Sequence, residues 1–168
     1  MSLILHLFLH VAFAFLAGFI AWILIPVSPW IPFVAAFFGG VLIDLDHFID
    51  YFMAFGIRFN LKAFIEGHHF LKNDKIYVLF HGWEYTILLA GGAWFFRTDT
   101  GLQAAFFALS LGMLLHLLVD VIVNHGMTIR GYSAFYRAKH DYAMEKIVTP
   151  EHYAKDVMKK RALMMNEK

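Results

Sequence analysis

Acidic and imidazole residues gather in three short stretches of this chain. "GGVLIDLDHFIDY" (Gly39 to Tyr51) carries Asp44, Asp46, His47 and Asp50; "FHGWEYT" carries His81 and Glu84; "LGMLLHLLVDVIVNHG" carries His116 and Asp120. On helices, His116 and Asp120 at i and i+4 share a face, as do His81 and Glu84 at i and i+3. Asp44 and His47 share a third face, and Asp46 points elsewhere unless the helix unwinds locally. Helix pairs of this kind, facing inward from a bundle, are how helical proteins build carboxylate–histidine metal sites. The chain has no cysteine, which excludes disulfides, thiolate zinc sites and iron–sulfur ligation.

The candidate ligands are therefore Asp44, Asp46, His47, His81, His116 and Asp120. They exceed one tetrahedral zinc site, so the expectation is one or two divalent ions. Zinc suits the imidazoles, with manganese or magnesium the alternatives suited to carboxylates. Such an ion acidifies water and polarises an electrophile, the chemistry of metal-assisted hydrolysis, and Glu84, if not itself a ligand, is the natural general base.

The elements that must position these groups are apolar. Of 168 residues, 60% are hydrophobic and only 16% charged, against about 25% charged in a soluble domain. Net charge is +1, which gives no case for a nucleic-acid partner. Four runs stand out: Leu3 to Ile25, Trp30 to Ile57 with the acidic cluster inside it, Ile76 to Phe96, and Leu102 to Val123. About 20 residues cross the hydrocarbon core, so the expected fold is an all-α, polytopic four-transmembrane-helix bundle. It would cover residues 1–126, followed by a helical cytoplasmic tail over 127–168. The first run lacks a basic leader and a small-x-small cleavage site and reads as a span. Four spans put both termini and the Arg58–Lys75 loop on one side. That side holds every lysine and arginine except Arg97 and is expected to be cytoplasmic, in a bacterial inner membrane. All three acidic and imidazole stretches then arrive at one depth, near the inner surface. Ionised carboxylates beside lipid are costly unless paired or coordinated, and a cation answers that cost for several at once.

Other residues have plainer readings. His6, His10, His68, His69 and His140 read as solvated or hydrogen-bonded histidines, and Asp50 as an interfacial carboxylate. Gly39–Gly40 reads as helix packing. His125 is either a turn residue or a partner of the ligands. Thr149 and Pro150 start a tail helix. Lys159, Lys160 and Arg161 read as a solvated face, with anionic headgroups the alternative.

Taken in order, the three stretches resemble the YdjM-like inner-membrane metal-dependent hydrolases, whose pattern runs "PDIDH", then a helix opening with a His, then "GxxxHxxxD". Here the first is "LIDLDH", Leu42 to His47, and the third "GMLLHLLVD", Gly112 to Asp120. Ile43 replaces the family proline, and "HGWEY" stands at the middle motif, where Glu84 has no family counterpart. The resemblance spans about Gly39 to Gly126 and implies a membrane-embedded metal-dependent hydrolase; site depth suggests an amphiphilic or lipid phosphoester substrate among the membrane lipids. Two other classes compete. A haem protein could use His81 and His116 as axial ligands but has no use for Asp44, Asp46 or Asp120. An ion- or proton-coupled transporter would explain the acids but usually places them nearer mid-membrane. A di-iron desaturase fails for want of histidine boxes, since His6 and His10 supply a single H-x-x-x-H.

Overall fold

The structure, a computed structural model, describes residues 3–123 and 126–166; His125 lies outside them. In chain order the helices are α1 (Leu3–Leu24), α2 (Trp30–Gly40), a 3-10 segment (Leu42–Asp46), α3 (His47–Phe55), α4 (Leu61–Ile65), α5 (His68–Asn73), α6 (Trp83–Phe95) and α7 (Thr100–Val123). A second 3-10 turn (Ile129–Tyr132), α8 (Ala134–Lys139), α9 (Met144–Ile147) and α10 (Pro150–Asn166) follow. Among the described residues β-pairing is limited to two isolated bridges, Lys75 with Ala143 and Met127 with Val148. The chain divides into two compact units, one running to Asp44 and resuming over Phe80–Val123, the other formed by Leu45–Leu79 and the residues after Val123.

The first unit packs α1, α2, α6 and α7. Its outward faces are apolar: Ile4, Phe8, Phe15 and Ile23 on α1 and Ile122 on α7 are all exposed. Water does not tolerate that much contiguous apolar surface, whereas lipid does. Two helices, Ile4–Leu24 and Thr100–Val123, are long and apolar enough to cross a membrane, or three if Trp30–Gly40 and Leu42–Phe55 form one interrupted span. Between helices the contacts are small. Ala17, Ala21, Ala36 and Ala108 are fully buried together, which lets backbones approach closely. A Cβ on Gly112 would stand 2.6 Å from the Ala36 carbonyl oxygen, and one on Gly39 would run into the Leu109 carbonyl. Only glycine permits α2 and α7 to lie this close.

The Ile76–Phe96 stretch is not one helix. Only Trp83–Phe95 is α-helical, about 20 Å at 1.5 Å per residue, shorter than a hydrocarbon core. The reason lies in the second unit, where Asp50 takes the backbone of the segment before it. The Asp50 carboxylate accepts the N–H of Tyr77 (2.9 Å) and of Val78 (2.8 Å). The Val78 carbonyl accepts Nη2 of buried Arg137 at 2.9 Å, and the Ile76 N–H donates to the Tyr142 carbonyl. Val78 is held at φ +33°, a conformation a β-branched residue adopts only when its surroundings over-determine it. Asp50 is thus a buried carboxylate with a structural role.

The second unit has its own apolar core of Leu71, Ile76, Val78, Met144, Ile147 and Val148. Segment 45–79, expected to belong with the membrane helices, packs here with the C-terminal residues. The tail helix α10 begins as its sequence predicts, with Thr149 Oγ1 accepting the His152 N–H at 3.3 Å. Lys159 and Lys160 bond to the Glu66 carbonyl and to Asp74, so they pack onto the unit's own loop.

Candidate metal centre

Within the first unit, side chains from four places converge. α7 presents His116 and Asp120 on one face; the turn before α6 presents His81; α1 presents His6 and His10; and Asp44 comes from the 3-10 segment. The α-ladder of α2 gives way after Gly40, at Val41 (φ −129°, ψ −48°), to that 3-10 turn. Local unwinding is what Asp46 would need to join the ligands; in the structure the unwound turn presents Asp44.

His116 is fully buried, and its Nδ1 lies 3.0 Å from the Gly40 carbonyl oxygen. A carbonyl can only accept, so Nδ1 carries a proton, and Nε2 is the nitrogen that would bind a metal in the neutral ring. Around Nε2 stand other possible ligand atoms. Asp44 Oδ1 is 3.4 Å away, Asp120 Oδ2 3.5 Å and His81 Nε2 3.2 Å. His81 Nε2 in turn is 3.2 Å from Asp44 Oδ1 and 3.7 Å from Asp120 Oδ2. Ligand atoms around a tetrahedral ion with bonds of about 2.0–2.1 Å sit about 3.3 Å apart, close to these five separations.

The other oxygen of Asp120 faces α1. Oδ1 is 3.2 Å from His6 Nε2 and 3.4 Å from His10 Nε2, and the two Nε2 atoms are 2.6 Å apart. His10 also stacks on His116, ring centroids 3.8 Å apart. His10, His81, His116 and Asp120 are all buried, and Asp44 and His6 are partly open. Groups drawn from these residues could hold a metal ion, and the chemistry of the set fits one: imidazole nitrogens and carboxylates, converging and buried.

Within the first unit the structure thus brings together Asp44, His81, His116 and Asp120 of the expected ligands. Asp46 and His47 fall in the second unit, Asp46 buried ahead of α3 and His47 its half-buried first residue, with its ring beside Phe70. Glu84 lies in the first turn of α6, half-buried, its carboxylate folded back toward Gly82. His6 and His10, expected to be solvated or hydrogen-bonded histidines, are part of the cluster. Their H-x-x-x-H spacing, the same i,i+4 relation that singled out His116 and Asp120, was the available signal.

The fold and the cluster define a class: a helical chain with helices suited to lipid and a buried histidine–aspartate centre able to take a cation. No family model, curated protein or solved structure matches the chain.

Proposed function

We propose that this is a membrane-embedded, metal-dependent hydrolase of the YdjM-like kind, acting on a phosphoester or similar amphiphilic substrate. The observation that carries the reading is the convergence of Asp44, His81, His116 and Asp120, from separate parts of the chain, on one buried point. Asp44, His81 and His116 would hold a divalent ion together with Asp120, zinc being the best match to the imidazoles. When bound, that ion would acidify a water and polarise the ester. Gly40 holds His116 in the tautomer that offers Nε2. Two carboxylates of the first unit lie outside the donor set, Glu84 and Asp99. Asp99 caps α7, accepting the Leu102 N–H at 3.0 Å, so Glu84 is the general base in this reading. The buried walls exclude bulk water, and partly exposed Asp44 marks the side from which substrate enters.

In the same reading the chain is a multi-pass inner-membrane protein with four crossings, Trp83–Phe95 making the short third one, and both ends cytoplasmic. Reporter fusions at Gly101 and after α10 should then report opposite compartments.

The experiment for the activity is hydrolysis of p-nitrophenyl phosphodiesters and of phospholipid vesicles by detergent-extracted protein with zinc, manganese or magnesium supplied. Turnover that needs the metal and disappears in His116→Ala supports the proposal. A chain that stays metal-free with each ion supplied points to the transporter class instead. The haem alternative has lost ground: the Nε2 atoms of His81 and His116, 3.2 Å apart, are closer than two axial ligands on opposite sides of one iron can come.

A further inference from the structure

The centre has two halves, and Asp120 is where they meet. Its Oδ2 faces His116 and His81, while its Oδ1 faces His6 and His10. The α1 half poses a problem that hydrogen bonding does not solve. Asp120 Oδ1 is buried and accepts no hydrogen bond among the described residues. An orphaned carboxylate oxygen away from water costs several kcal/mol. Protonated imidazoles could satisfy it, but the Nε2 atoms of His6 and His10 are only 2.6 Å apart. At that separation a proton between the two nitrogens is directed from one ring to the other, so it is not given to the carboxylate. Two nitrogens and a carboxylate oxygen within 3.4 Å of one another, with that proton already shared, make a ready set of donors for a cation.

We propose a second cation position formed by His6, His10 and Asp120 Oδ1, separate from the one formed by Asp44, His81, His116 and Asp120 Oδ2, with Asp120 bridging the two. The proposal rests on reading the cluster as metal-binding and extends it: the centre is dinuclear. The α1 position has three protein ligands and the other four. The three-ligand position leaves coordination open for water, in addition to what the other ion takes. Paired divalent ions occur in phosphatases and nucleases, where they clamp the attacking and leaving oxygens, and also in aminopeptidases. A dinuclear centre therefore accords with the phosphoester substrate proposed above.

The test counts ions and needs no substrate. Full-length protein in detergent, loaded with manganese and freed of excess, should contain two ions per chain by elemental analysis. Its electron paramagnetic resonance spectrum should be that of an exchange-coupled pair. His6→Ala and His10→Ala should each fall to one ion per chain with the spectrum of isolated manganese, and Asp120→Ala should lose most of both. One ion per chain in the wild type, magnetically isolated and unaffected by His6→Ala, overturns the second position while leaving the proposed hydrolase standing. Two ions retained in His6→Ala and His10→Ala also overturn it, and no ion in the wild type overturns both readings. The wild-type count and spectrum decide the matter even where a histidine variant fails to fold.

Discussion

His116 Nδ1 lies 3.0 Å from the carbonyl oxygen of Gly40, so the end of α2 decides which nitrogen of a histidine on α7 is free to bind. That contact exists because Gly39 and Gly112 let the two helices touch. In Gly112→Ala the new methyl meets the Ala36 carbonyl, α2 must shift, and His116 loses its orienting acceptor. Zinc affinity should fall about 10–100-fold, the usual cost of losing a partner that orients a ligand, while helix content stays the same. Competition with a chromophoric chelator measures it. An unchanged affinity in a folded variant would remove Gly40 from the account.

His116 Nε2 and Asp120 Oδ2 lie 3.5 Å apart and would hold the same ion, so their losses should not add. His116→Ala and Asp120→Ala should each lower metal content sharply, and the double variant should be scarcely worse than the poorer single one. Ser110→Ala on the same helix removes a hydrogen bond to the Thr86 carbonyl (2.8 Å) and should cost about 1 kcal/mol of stability with full metal content. Full occupancy in well-folded His116→Ala and Asp120→Ala would sink the assignment.

Asp50 should matter for folding and not for metal. Asp50→Ala strands the N–H groups of Tyr77 and Val78 and leaves Arg137 without its nearby anion. A loss on the order of 3 kcal/mol is expected. Limited proteolysis and thermal unfolding should show it first in 45–79, where Val78 would relax from φ +33°. Wild-type protection of that segment in a folded Asp50→Ala protein would mean the carboxylate does not hold it.

His69 on α5 should make the second unit acid-sensitive. Both ring nitrogens are buried without a hydrogen-bond partner among the described residues, and the ring stacks on Phe64. Burial first, and then neighbouring His47 and His68, push its pKa down to about 4. Between the usual value of 6.5 and about 4 the unfolded chain takes up a proton that the folded chain refuses. Stability is therefore present above pH 6.5 and lost as pH falls through this window, by at most about 3 kcal/mol. His69→Phe should flatten that slope and be neutral or stabilising at pH 7. Urea unfolding at pH 7.5 and pH 5 checks it, and equal slopes in variant and wild type would exclude His69 as the cause.

Much of this protein is written locally. Hydropathy marks α1 and α7 as helices for lipid, because length and apolar content are properties of a single segment. The pairing of His116 with Asp120 follows from helix periodicity alone, and the cap at Thr149 from the Thr-Pro pair itself. Other features depend on what a segment meets. Ile76–Phe96 has the composition of a span, yet Asp50 and Arg137 capture the backbone at Tyr77 and Val78, and only Trp83–Phe95 coils as α-helix. His6 and His10 share a face by spacing, but that Asp120 stands opposite them was decided by the packing of α1 against α7. Asp44 joins the cluster because the α-ladder breaks after Gly40. Periodicity fixes which side chains point the same way along one helix. Which helices come together, and at what height, depends on close contacts between residues far apart in the chain, such as Gly112 against Ala36, and only the folded structure supplies them.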